Sequence, residues 1–316
     1  MIRYELSAED LADTRFAISP VQELVCSVWA LRDPGRYTLH LPWRRAALAA
    51  LDPDDLALLL SLVGNDRGLP DFLTPRPATF APDLAEQLDE IRRTPPDLVE
   101  RDIVATHAPG PVPAVLRAAT LSDLADLLGR YWSAAMAGDW PRMRLVMEAD
   151  TTYRARQLAV GGARLLFADI HPNVSWADGA VRIERMIGRY RVSAAGRGLL
   201  LLPSVFAYKA VPPMSSAEAP WLAYPARGVA TLWHRAVPPG PDVMAALLGP
   251  PKATLLQLLA EALPTVELAR RLRVTPGAVS QHLRVLHAGG LVTRVRDGRH
   301  VLYRRSDLGN RLVEGA

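Results

Sequence analysis

The chain has 316 residues, 49% hydrophobic and 22% charged, which is ample for packed cores and argues against a disordered tract. Its net charge of +4 is uneven: from Lys252 onward eleven Lys and Arg face five Asp and Glu, while the rest is slightly acidic. No run of eighteen apolar residues occurs, the start is a mixed acidic segment unlike a signal peptide, and a single Cys26 excludes an internal disulfide framework; a cytoplasmic protein without a membrane partner is expected.

In chain order, Asp52 with Pro53, Asp54 and Asp55 predicts an N-cap, a proline at the first helical position and an acidic first turn. The apolar run Leu56–Val63 then reads as a buried helix. Ala81–Arg93 predicts an amphipathic helix with Leu84, Leu88 and Ile91 on one face, ended by Pro95 and Pro96. Leu121–Ala137 repeats the pattern with Leu124, Leu127, Leu128 and Tyr131. Asp139, Trp140 and Pro141 open a further helix towards Val160, which Gly161 and Gly162 interrupt and Ala163–Asp169 resumes. After His171 the pattern turns to strands at Gly179–Arg185, Gly198–Tyr208 and Trp221–Tyr224. Proline and glycine at Val237–Asp242 mark a boundary, and Gly249–Pro251 a second break. The expected fold is mainly α with minor β. A large helical N-terminal domain with a few strands takes residues 1–241, and a winged helix-turn-helix takes 242–316.

Leu255, Leu256, Leu258, Leu259 and Leu263 predict a core helix ended by Pro264. Thr265 is expected to cap the next helix, with Val266, Leu268, Ala269 and Leu272 facing inward. Arg273, Val274 and Thr275 form the turn. Thr275 caps the following helix, and Pro276 suits its first position. There Val279, Leu283 and Leu286 recur at intervals of four and three, so they face the core. The opposite face carries Gly277, Ser280, Gln281 and Arg284, with His282 between the faces. A Gln amide can bond adenine N6 and N7 together, while Ser and Arg reach phosphate or guanine. Gly277 removes bulk where the helix would meet a groove. Gly289 and Gly290 stop the helix. Leu291–Arg296 and Arg299–Arg304 read as strands joined by a type I′ turn at Asp297 and Gly298. Arg294, Arg296, Arg299 and His300 crowd the tip, with Val292, Val295, Val301 and Tyr303 expected to support the hairpin from below. The local basic excess is the electrostatic footprint of a polyanion binder.

On ELARRL, TPGAVSQHLRVLHAGGLV and RDGRHVLYR, this region resembles the ArsR family of winged-helix bacterial transcription regulators. The remainder is similar to the uncharacterised N-terminal domain of some actinobacterial members. The resemblance implies that Ser280, Gln281, His282 and Arg284 lie on a recognition helix and Arg296–Tyr303 on a wing. It implies a regulator, more a repressor than an activator, acting as a homodimer on a pseudo-palindromic site in double-stranded DNA. Metal-sensing members carry a Cys-x-Cys before the recognition helix, or paired Asp and His ligands in the last helix. Here Glu267–Arg270 takes the first place and no His follows the wing, so no metal is expected. The short stretch after the wing directs the expectation of dimerisation to the N-terminal domain. Cys26, in an apolar helical context, reads as a buried thiol. The chain has no H-E-x-x-H, G-x-G-x-x-G or G-x-S-x-G pattern, so neither catalytic residues nor a cofactor are expected. A small organic effector in the N-terminal domain stays open. The alternative is a receptor or enzyme-like N-terminal domain with an accessory winged helix.

Overall fold

Short polar caps and prolines set the starts of most helices in this chain, and distant strand pairing joins them. The computed structural model describes residues 1–64, 68–186, 188–233, 241–297 and 300–314, with 241, 242, 297, 300 and 314 described by backbone alone. Two compact units emerge, Met1–Trp233 and His234–Ala316. Helix accounts for 54% and strand for 14%, in several small sheets, so the fold is mainly α with minor β. Of the boundary segment read at Val237–Asp242, residues 237–240 lie outside the described residues.

In the first unit the helices are α1 (Ala8–Ala12), α2 (Pro20–Arg32), α3 (Leu41–Ala50), α4 (Pro53–Ser61), α5 (Leu84–Arg92), α6 (Pro96–His107), α7 (Ala114–Ala118), α8 (Leu121–Ala135) and α9 (Trp140–Ala168). Ser19 caps α2, Asp52 caps α4, Asp83 caps α5, and Thr120 with Asp123 forms a capping box on α8. Each satisfies backbone N–H groups that have no partner inside the helix. Helix α2 is buried along almost its whole length. Its Cys26 is fully buried and burial pushes the thiol up to about 12, so it packs as a small hydrophobe. Gly162, at φ 62°, breaks α9 as its sequence predicts. Pro96 does more than end α5: it occupies the first turn of α6, a helix the sequence reading did not anticipate.

Strand β1 (Ile2–Glu5) lies inside a four-stranded sheet between β4 (Ala180–Ile183) and β5 (Tyr190–Ser193), with β3 (Val174–Ala177) at the edge. It runs antiparallel to β4, pairing Ile2 with Ile183, and parallel to β5. A second, parallel sheet joins β2 (Arg15–Phe16), β6 (Leu200–Ser204) and β7 (Trp221–Pro225). Strand β6 is shorter than its apolar pattern suggests. Ser204 Oγ accepts from the N–H groups of Phe206 and Ala207, and the Glu23 carboxylate accepts from Val205, so these groups leave the ladder. A buried polar cluster ties α9 to β7: Arg154 reaches Asp150 and Asp169, and the Tyr224 hydroxyl donates to Asp150 at 2.8 Å.

The second unit comprises α10 (Pro241–Leu248), α11 (Pro250–Leu258), β8 (Leu263–Pro264), α12 (Thr265–Leu272), α13 (Pro276–Ala288), β9 (Val292–Asp297), β10 (His300–Arg305) and α14 (Asp307–Glu314). Its core gathers Leu255, Leu256 and Leu259 with Leu268, Val279, Leu283, Leu286 and Val292. Several sequence expectations are corrected here. Leu263 is not helical: it pairs with Tyr303, making β8 the third strand beside the β9–β10 hairpin. Thr265 is the first residue of α12 rather than its cap, a place Pro264 takes without a side-chain bond. Val266 is exposed. Val301 is exposed because only the base of the hairpin, at Val292 and Tyr303, packs on the core, and Val295, paired with Leu302, is exposed because it lies on the other face of the hairpin.

Helix α14 docks against the start of the wing. Ser306 donates its backbone N–H to the Leu291 carbonyl, and Gly309 sits so close that an added Cβ would lie 2.2 Å from the same oxygen. Gly309→Ala is therefore expected to cost about 1–3 kcal/mol, as overpacking does. Urea titration read by far-UV circular dichroism checks it; an unchanged midpoint contradicts the close docking.

Candidate nucleic-acid interface

The turn between α12 and α13 is built by Arg273, whose left-handed φ of 55° ends α12, with the Val274 N–H returning to the Ala269 carbonyl at 3.1 Å. Thr275 then caps α13: its Oγ1 accepts from the Ala278 N–H at 3.3 Å, and Pro276 fills the first helical position. Val279, Leu283 and Leu286 are each at most 1% exposed. That burial fixes the rotation of the helix. Thr275, Gly277, Gln281 and Arg284 are exposed, and Ser280 and His282 are half-buried. A Cβ at Gly277 would meet nothing within 4 Å, so packing inside this unit does not require glycine there. The open space leaves backbone available for close approach from outside.

In the wing, Arg294 stands opposite Tyr303 and Arg296 opposite Val301. Strand alternation puts both arginines on one face, and both are exposed. Arg304 lies on the other face, opposite Thr293, and is exposed as well. Gly298 and Arg299 lie outside the described residues, and so does the side chain of His300, whose backbone belongs to β10.

Three features escaped the sequence reading. Val285 is 55% exposed, one turn from Gln281, and adds an apolar contact to the outward face of α13. Arg304 adds a cation on the far face of the wing. Arg270 and Arg271 both donate to Glu267, at 2.7–2.9 Å, and these bonds hold its carboxyl down to about 2. The two arginines are thereby engaged with an acid on their own helix. Their spacing of three and four from Glu267 was the signal available. No acidic residue lies in α13 itself. Among the described residues, no group of three or more His, Cys, Asp or Glu side chains is placed to hold a metal ion.

Chemically, the unit offers an exposed amide and guanidinium with a half-buried hydroxyl on one short helix, and two guanidiniums on one face of a hairpin. An amide and a guanidinium can each make two-point bonds to a base edge, and guanidiniums bind phosphate.

Residues 249–300 match the model of the MarR family. Over 67 residues, 21% of this chain and 50% of the relative, the sequence is 42% identical to the HTH-type transcriptional repressor SmtB of Mycobacterium tuberculosis, in two strains. The chain thus spans about half the length of the curated relatives it matches. A solved structure of a possible transcriptional regulator for arsenical resistance is 38% identical, covering 22% of this chain and 73% of that one at a TM-score of 0.20. Reduced HlyU from Vibrio cholerae is 27% identical, covering 23% and 82% at a TM-score of 0.21. The element order, the buried face of α13 and the sequence shared with SmtB fit an ArsR/MarR-type winged helix-turn-helix at the C-terminus.

Proposed function

We propose that the protein is a cytoplasmic, sequence-specific DNA-binding transcriptional regulator, a repressor that occludes a promoter as a homodimer on a pseudo-palindromic operator. The observation that carries this reading is the outward face of α13. With Val279, Leu283 and Leu286 buried, Gln281 and Arg284 present base-reading groups on a helix free of acids. The basic excess of the region and the exposed Arg294 and Arg296 support contact with phosphate. Helix-turn-helix dimers bind two half-sites one helical turn apart, and two-fold symmetry is the commonest in homo-oligomers. The N-terminal unit is assigned the dimerisation or effector role.

Base-reading and phosphate-binding residues should fail differently. Gln281→Ala is expected to cost about 1–3 kcal/mol on the operator and little on scrambled duplex. Arg296→Ala should weaken both duplexes alike and reduce the salt slope of binding by about one. Titrations at several salt concentrations separate the two. Equal loss on both duplexes for Gln281→Ala would remove base reading from α13.

For the dimer, light scattering of the full chain should return twice its mass of 34.5 kDa. A monomer at concentrations that saturate operator DNA contradicts the two-fold arrangement.

A further inference from the structure

The N-terminal unit holds a cavity of about 280 Å³ at the seam between its helical core and its β portion. Such a volume lies at the small end of ligand pockets. Helix α2 lines it with Gln22, Val25 and Trp29, and Tyr190, Tyr208 and Trp221 line it as well. Ala105 and Ala108, both exposed, line it too, so it opens to solvent. Four aromatic side chains around so small a space favour a flat ring.

The polar groups decide the rest. Asp71 is occupied: one oxygen accepts from the Met214 N–H at 2.9 Å and the other from Ser215 at 2.7 Å. The Lys209 ammonium donates to the Arg185 carbonyl at 3.3 Å. Asp71 and Lys209 place one charge of each sign on the lining, so a charged ligand meets a like charge as well as a counter-ion while its own charge loses water. Gln22 differs. It is 5% exposed, and among the described residues its carboxamide makes a single hydrogen bond, from the side-chain N–H to the Cys26 sulfur at 3.2 Å. A thiol sulfur is a weak acceptor. The amide therefore retains both donor and acceptor capacity at the cavity wall.

We propose that this cavity binds a small, uncharged aromatic molecule bearing an amide or hydroxyl that pairs with Gln22. It is the effector site of the regulator, and that second statement rests on the function proposed above.

Fluorine NMR titration of the full chain with para-fluorobenzamide tests it, beside para-fluorobenzoate as the anionic twin and para-fluorotoluene as the apolar one. Saturable binding of the benzamide is expected, with the benzoate about tenfold weaker. Gln22→Leu should weaken the benzamide about tenfold and leave the toluene unchanged. Val25→Phe, which fills the cavity, should abolish binding of both. The thermal midpoint of each variant is compared with the parent, and Gln22→Leu serves alone if Val25→Phe does not fold. No saturable benzamide binding, equal binding of benzamide and benzoate, or parental affinity in Gln22→Leu overturns the site. Duplex DNA titration of the same ligand-free chain is read separately. Failure there removes the regulator reading and leaves the cavity result standing, whereas failure of the probes leaves DNA binding intact.

Discussion

Everything proposed for the C-terminal region depends on how α13 is rotated about its own axis. Three side chains, Val279, Leu283 and Leu286, fix that rotation by packing against Leu255, Leu256 and Leu268. Burying each is worth about 1.5–3 kcal/mol. Turning the helix through one residue position would expose this stripe and drive Arg284 one way, or His282 the other, into an apolar interior without partners, at a cost of several kcal/mol. The core thus selects the outward face, and the chemistry of that face follows without further adjustment. The Thr275 cap and the left-handed Arg273 then set where the helix begins and how sharply the chain turns into it.

The same logic explains what could be read in the sequence and what could not. Helices that carry their own signals were legible: the Asp52–Pro53 start, the Leu121–Ala135 stripe with its capping box, the glycine break in α9, and α13 with its proline. Such signals are local, spanning one or two turns. Strand β1 was not legible, because its neighbours lie nearly the whole length of the N-terminal unit away and only their pairing makes Ile2–Glu5 a strand. Leu263 failed for the same reason: in sequence it continues a leucine-rich helix, but in space its partner is Tyr303. In the wing, alternation predicted the strands within one residue. It did not predict that Val301 lies exposed, since that depends on how far the hairpin reaches past the core, whereas Val295, three residues from Val292, falls on the opposite face by that same alternation. The cavity beside α2 was illegible because its walls come from segments scattered between Ile2 and Trp221.

The N-terminal unit combines a rigid frame with an incompletely filled seam. Arg154 and Asp150 are almost fully buried, and Asp169, Tyr153 and Tyr224 surround them. Breaking one member of such a cluster leaves an uncompensated buried charge, so it holds α9 and β7 in one arrangement more than it adds net stability. Beside that frame, the helical core and the β portion meet without closing completely, and the gap is walled by aromatic rings and one under-used amide. Rigid surroundings with an under-used amide suit selection of one small molecule by shape and hydrogen bonding.

Selection of bound duplexes from a fully randomised DNA pool, using the full chain, tests the central claim most directly. The account predicts enrichment of one inverted repeat with half-site centres about ten base pairs apart, the spacing of helices in successive major grooves. A pool that is retained but shows no enriched sequence would mean that the outward face of α13 does not read bases, and would contradict it.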